Sequence, residues 1–398
     1  MLKNIALIAA SAVATLIGAE IVLRVAGISF PSFYEEDPDL GSRLRAGAEG
    51  RSQGEGGAFV RINSEGMRDS EHALEKPPGT TRIAVLGDSF AEAMQVPQEQ
   101  AFWSVLEREL SACAQRRYEV LNFGVSGYGT AQELLMLRRR VWKYKPDIVL
   151  LAFFAGNDVR NNSAALNGDP TAPYFVYKED RLVLDESYRA SLASLRLGPR
   201  ERAVRSLAAG LRNKSRVFQL ADQARVALKR RGAVKAMDMA AAESAVVKGG
   251  EVGLDDAVYT EPENETWKEA WRVTEALIVE MANEVRAHGA DFWVVTLSTG
   301  IQVHPDPAVR DAFMKRLGVK DLWYPDMRVR ALCERENISV ITLAPAMAEY
   351  ARSHRVFLHG FPNAVMGFGH WNQAGNELAG KLIAEHLCRQ TAAAPTAQ

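Results

Sequence analysis

Four short segments hold side chains able to do chemistry together. The first is Gly87-Asp88-Ser89-Phe90, directly after the apolar run Ile83-Ala84-Val85-Leu86. A short β-branched run ending in Gly-Asp-Ser reads as a buried strand whose last turn presents a serine hydroxyl. In open α/β sheets ligands sit outside the carboxyl ends of the strands. Ser89 therefore stands where a nucleophile would be useful, or where a helix needs an N-cap. The second segment, Val120-Leu121-Asn122-Phe123-Gly124 continuing to Thr130, is a strand entering a glycine-rich turn. A glycine amide such as that of Gly124 can approach a ligand closely and donate to a developing anion. The third, Leu150 to Asp158, ends in Gly156-Asn157-Asp158. Asn157 offers a neutral amide donor suited to an oxyanion, or a cap for the next helix. The fourth is Gly369-His370-Trp371-Asn372. A histidine at such a turn can serve as general base to a serine.

Order, spacing and strand-end placement make these segments resemble the SGNH/GDSL hydrolases, a family of esterases, lipases and carbohydrate deacetylases. The resemblance covers about 82–160 and 266–388. It implies that Ser89 is the nucleophile and His370 the base. It also implies an oxyanion hole made by the Ser89 and Gly124 amides and the Asn157 side chain. Asp88, Trp371 and Asn372 are expected to support the site. One position departs from the pattern. The family carries Asp three residues before the histidine, and here that residue is Gly367. A backbone carbonyl holding the imidazole is the simplest repair. An acid from elsewhere is the other, with Asp158 and Asp306 as candidates. Losing the acid's role can cost up to about 10⁴ in turnover.

Other chemistries fit less well. Gly124-Val125-Ser126-Gly127-Tyr128 lacks the last glycine of a nucleophile elbow. There is no Walker loop, and Gly-Tyr-Gly at 127–129 lacks dinucleotide spacing. Cys113, Cys333 and Cys388 have no metal spacing, and an odd count leaves one unpaired within the chain. No metal and no organic cofactor are expected. The net charge of −1 argues against nucleic acid as a partner.

The elements that must position these residues alternate. Strands are expected at 82–86, 118–122, 147–153, 291–297 and 338–343. Helices are expected at 102–111, 131–144, 266–288, 325–335 and 372–388. Such alternation predicts an α/β fold, a flavodoxin-like doubly wound parallel five-stranded sheet. It carries a helical insertion and an N-terminal transmembrane helix. Trp267, Trp271 and Trp293 fall on periodic segments and are assigned to the core.

The expected organisation is a membrane anchor or signal segment at 1–27, a linker and entry region at 28–80 with 28–60 as the linker leaving the membrane, a hydrolase domain at 81–160 and 263–390, a basic helical insertion at 161–262 and a disordered tail at 391–398. Ile5 to Val25 is nearly all apolar and long enough for a bilayer of about 30 Å. It continues past the small residues at Gly18-Ala19, which favours an uncleaved anchor over a cleaved signal. Lys3 favours an N-in orientation, with Arg24 reducing the contrast. The domain would then lie outside the cytoplasm, on the periplasmic side of an inner membrane. Secretion after cleavage is the alternative.

Within the insertion, residues 181–235 hold fourteen Lys/Arg against four acids, a net +10. Val204, Leu207, Leu211, Phe218, Ala221 and Leu228 fall near helical spacing. A solvated helical piece packed over the sheet is the favoured reading. A basic amphipathic helix on an anionic membrane is the other, and a lid over the site suits either. Residues 236–262 are expected to be a mobile loop.

The expected function is hydrolysis of acyl or acetyl esters in the cell envelope through an acyl-enzyme, on a carbohydrate or lipid substrate. The alternatives are an O-acyltransferase acting on envelope polysaccharide, and an inactive envelope-binding module supported only by the gap at 367. Oligomeric state is not legible.

Overall fold

A computed structural model of the chain describes all residues except 1, 53, 114–116, 193–195, 232–238, 252–253 and 394–398. Eleven strands lie among the described residues: β1 Tyr34–Asp37, β2 Gly41–Leu44, β3 Glu49–Arg51, β4 Phe59–Arg61, β5 Thr80–Gly87, β6 Arg117–Asn122, β7 Ile148–Phe153, β8 Tyr174–Lys178, β9 Arg181–Asp185, β10 Asp291–Thr296 and β11 Ser339–Thr342. β5, β6, β7, β10 and β11 form one parallel sheet in the order β6-β5-β7-β10-β11. Counted along the sheet's own strands this is 2-1-3-4-5, the doubly wound flavodoxin-like order expected from the sequence.

The strands are apolar throughout because both faces are covered. Ala84 and Leu86 of β5 pack with Leu121, Leu151 and Val294 under the helix Glu265–Ala287. Ile83 and Val85 turn the other way, toward the helices Phe102–Cys113 and Gln373–Ala393. Each such fully buried side chain contributes roughly 1.5–3 kcal/mol. Trp267, Trp271 and Trp293 are all buried, as expected. The helix expected over 131–144 is regular only at Thr130–Met136, then widens into a π turn and a 3-10 turn ending at Tyr144. Among the helices that escaped the sequence reading are Pro307–Leu317 and Ala344–His354. Cys113 and Cys388 are disulfide-bonded and Cys333 is free and buried.

Three sequence expectations need correction. Residues 28–60 are not a linker. They form the antiparallel pairs β1–β2 and β3–β4, and Phe33, Leu40, Leu44, Ala48 and Val60 join the core. Their apolar residues are spaced too irregularly by turns to show a period. Residues 236–262 are not one loop, since Met239–Gly249 is helical and Val258 and Tyr259 are buried. The insertion does not pack its apolar stripe over the sheet. Its helices Pro199–Lys214 and Arg216–Arg231 leave Val204, Leu207, Leu211 and Phe218 exposed. The closing helix runs to Ala393, and the rest of the expected tail lies outside the described residues.

One helix among the described residues is long and apolar enough to cross a membrane. It spans Lys3–Val25, with a mean hydropathy of 2.2 and none of its apolar window buried. The whole helix, Leu2–Val25, has 24 residues. At about 1.5 Å per residue it exceeds a hydrocarbon core of about 30 Å.

Candidate active site

Three strand ends supply the rim of the site. β5 delivers Ser89 into the four-residue helix Ser89–Glu92, where Asp88 is the N-cap. The Asp88 carboxylate accepts from the Phe90 amide at 2.9 Å and from Asn157 Nδ2 at 3.0 Å. Asp88 is thus the link that holds the turn after β7 against the turn after β5. As the first residue of its helix, Ser89 has an amide that no helical carbonyl can reach.

His370 comes from the loop before the last helix. Its Nε2 lies 2.8 Å from Ser89 Oγ, and its Nδ1 lies 3.0 Å from Glu55 Oε2. A carboxylate only accepts, so Nδ1 carries the proton and Nε2 is the acceptor facing the serine. The same Oε2 also takes the His370 amide at 2.9 Å. Glu55 therefore fixes both the ring and the backbone of this residue. Burial works against a charged imidazole here. The bond to Glu55 and its charge, with Asp88 and Glu92 nearby, outweigh that and hold His370 above its ordinary range. Burial likewise works against the Glu55 carboxylate, but its bonds to His370 leave it below the usual range.

The acid is thus present, and it is neither of the sequence candidates. Asp158 is buried and accepts from the Phe154 amide, while Asp306 caps the helix Pro307–Leu317. Among the described residues no backbone carbonyl holds the imidazole either. Glu55 stands 315 residues from His370, on the turn Gly54-Glu55-Gly56-Gly57. Asn363 grips that turn, accepting from the Gly56 amide and donating to the Gly54 carbonyl. Gly369 makes room for it. A Cβ there would lie 2.3 Å from Glu55 Oε1, and its φ of +80° favours glycine as well. An acid set among glycines in a non-helical stretch was the only sequence signal for this residue.

The His370 loop has a second, deeper support. Glu251 accepts from the Gly369 amide at 2.7 Å and the Ile301 amide at 3.3 Å, and burial pushes it up to about 7. His359 bonds the Gly369 carbonyl through Nδ1 and Ser298 through Nε2, and burial drives it down to about 4. Trp371 donates to the same Ser298 hydroxyl. Asn372 holds the Phe357 carbonyl and caps Gly375.

Gly124 packs against Ala91 and Glu92, on the short helix that begins with Ser89. Its amide is spent on Asn122 Oδ1 at 2.9 Å. A Cβ at Gly124 would meet Ala91 Cβ at 2.5 Å and the Glu92 amide at 2.6 Å. The glycine is required so that the two turns can touch, a packing role the sequence did not show. Farther along the turn Gly127 is exposed, and its amide finds no acceptor among the described residues. The N-terminal segment also braces this turn. Tyr34 donates to Glu92, and Arg68 donates to the Glu92 and Val96 carbonyls. Asp69 takes the Asn122 amide.

No group of three or more His, Cys, Asp or Glu able to hold a metal occurs among the described residues.

No family model matches the chain, and no curated protein matches it. Among solved structures it is similar to the acetyl xylan esterase AlAXEase, at 11% identity over 77% of this chain and 99% of that one, with a TM-score of 0.38. It is similar to TesA at 14% identity, over 77% and 98% of the two chains, with a TM-score of 0.35. A lipase/acylhydrolase from Enterococcus faecalis gives 14% identity, 78% and 96% coverage and a TM-score of 0.34. Likenesses this loose carry no functional weight. The site must carry it.

Proposed function

We propose that the chain is a membrane-anchored serine ester hydrolase acting on acyl or acetyl esters outside the cytoplasm. The observation that carries this reading is the continuous relay from Ser89 Oγ through His370 to Glu55, at 2.8 and 3.0 Å.

In the proposed reaction Ser89 Oγ attacks the ester carbonyl carbon as His370 Nε2 takes its proton. Glu55 stabilises the resulting imidazolium and keeps the ring from turning. The carbonyl oxygen becomes an oxyanion, met by the Ser89 amide and the second Nδ2 hydrogen of Asn157. Each donor contributes roughly 3 kcal/mol to the transition state. Collapse breaks the ester C–O bond, and the alkoxide leaves with the proton from His370. Water then attacks the acyl-serine and gives its proton to His370, which returns it to Ser89 Oγ as the acyl–oxygen bond breaks and the acid leaves. The inert-module alternative loses its support, because the role missing at Gly367 is filled by Glu55.

The apolar helix Lys3–Val25 supports the anchor. The Cys113–Cys388 disulfide supports an oxidising compartment for the domain.

The test is covalent labelling of the detergent-solubilised full chain with a fluorophosphonate, followed by turnover of short p-nitrophenyl esters. The native chain is expected to label and turn over, and Ser89→Ala to do neither. Equal labelling of both proteins overturns the assignment.

A further inference from the structure

The helical hairpin of the insertion has no place in this chemistry. Pro199–Lys214 and Arg216–Arg231 meet at an elbow around Ser215. That elbow is fastened to the last turn of the apolar N-terminal helix. Glu20 caps the second hairpin helix from outside, accepting from Ser215 Oγ at 3.0 Å and from the Arg216 and Val217 amides at 3.1 Å. Arg24 donates to the Lys214 carbonyl at the end of the first. The chain leaving the apolar helix is tied in as well. Gln219 takes the Phe30 amide, Asn213 the Ser32 amide, and Arg205 pairs with Glu36.

Two further observations describe the hairpin's surface. Val204, Leu207 and Leu211 recur at helical spacing on the first helix, and Phe218 follows the elbow. These four are 56–68% exposed. Contiguous apolar side chains of this size are unusual on a surface that meets only water. Residues 199–231 also hold ten Lys/Arg against two acids. Basic charge around an exposed apolar stripe is the composition of a helix lying in a bilayer interface.

We infer that the hairpin 199–231 is a second membrane contact, lying in the headgroup layer of an anionic bilayer beside the N-terminal helix. The depth follows from the fastening. Residues 20–24 form the end of a helix that spans the bilayer, so an elbow bonded to them sits where the hydrocarbon gives way to headgroups. Leu211 and Phe218, either side of the elbow, then reach the acyl boundary, while the arginines meet lipid phosphates. The catalytic domain is thereby held at two points and cannot swing freely on a single tether. This inference rests on the anchor reading and not on the hydrolase reading.

The test uses the full chain reconstituted into bilayers, with one nitroxide spin label at a time. Cys113 and Cys388 are bonded to each other and Cys333 is buried, so an introduced cysteine takes the label. Leu207→Cys and Phe218→Cys report the hairpin, Val13→Cys the anchor and Tyr350→Cys a water-facing control. In phosphatidylglycerol-rich bilayers, labels at 207 and 218 are expected to be reached by oxygen and shielded from a water-soluble nickel chelate. Their depth should be about 5–10 Å below the headgroups. In pure phosphatidylcholine they are expected to move toward water. Labels at 207 and 218 as wet as the label at 350, or shielded from both relaxants by protein, overturn the proposal. Unchanged depth in phosphatidylcholine overturns its electrostatic half. If the label at 13 is also wet, the anchor reading has failed instead, and fluorophosphonate labelling reports separately on Ser89.

Discussion

At the residue scale the decisive contact is Glu55 on His370. A Glu55→Gln substitution keeps the size of the side chain and removes the charge. The serine–histidine contact should survive, but the imidazolium loses its counter-charge, and an amide that turns its NH2 toward Nδ1 favours the wrong tautomer. Steady-state kinetics on a p-nitrophenyl ester should show kcat falling by about 10²–10⁴ with a smaller change in KM. The pH profile supplies a second reading. His370 must be neutral to act as base, so kcat/KM should rise through its pKa. Glu55 holds that pKa above the ordinary histidine range, so the acid limb should lie above about 6.5 in the native chain. In Glu55→Gln it should move to lower pH, because burial then acts with less opposition. A limb that stays in place would mean that Glu55 does not govern the histidine. Gly369→Ala should mimic the loss, since a methyl group there occupies the space of the Glu55 carboxylate.

At the scale of elements, the closing helix carries His370 at its entrance and is fastened in two ways. It packs against Phe102–Cys113 in the core, and the Cys113–Cys388 disulfide joins the two across 275 residues of sequence. Closing so long a loop restricts the unfolded chain. Removal of such a bond typically costs about 2–5 kcal/mol. Cys113→Ser should therefore lower the melting temperature of the chain in calorimetry, and reductant should lower the native chain to the same value. Labelling of Ser89 well below the transition should be unaffected, because the Glu55, Glu251 and His359 contacts still hold the loop. The parallel sheet and its covering helices were legible as elements because their periods are unbroken over whole segments. The hairpins between 34 and 61 were not, because strands of three or four residues separated by turns carry too few residues to show alternation.

At the scale of the whole molecule, buried carboxyls set the response to pH. Burial pushes Glu92 and Glu251 up to about 7 and Asp326 up to about 6. It also raises Asp88, Glu133 and Asp158. Between about pH 4.5 and 7 the folded chain holds protons that the unfolded chain has released, so stability falls as pH rises through that window. Two histidines act in the opposite sense. Burial lowers His359 to about 4 and also lowers His304, so folding expels their protons below about 6.5. The carboxyls outnumber them, and the raised His370 and His72 add to the carboxyls' direction. The melting temperature should thus be higher near pH 5.5 than near pH 8, the reverse of a protein governed by surface ion pairs. A melting temperature that rises with pH over this range would show that these groups ionise freely in the folded state.

Ser89, Asn157 and His370 were legible because each lies in a few residues that mark a strand end or a helix start, and because the alternation of elements aligns those ends on one edge. The core tryptophans and the apolar N-terminal helix were legible because local period and length determine them, and the doubly wound sheet because strands and helices alternate. Glu55 was beyond reach, because no local rule links a glycine-rich turn at 54–57 to a histidine at 370. Only the packing of the early hairpins brings the two together. The packing of Gly124 against Ala91 was hidden as well, since only the tertiary fold brings the two turns into contact. An amphipathic stripe at 199–228 showed that one face is apolar. What that face meets was decided by where Glu20 and Arg24 fasten it.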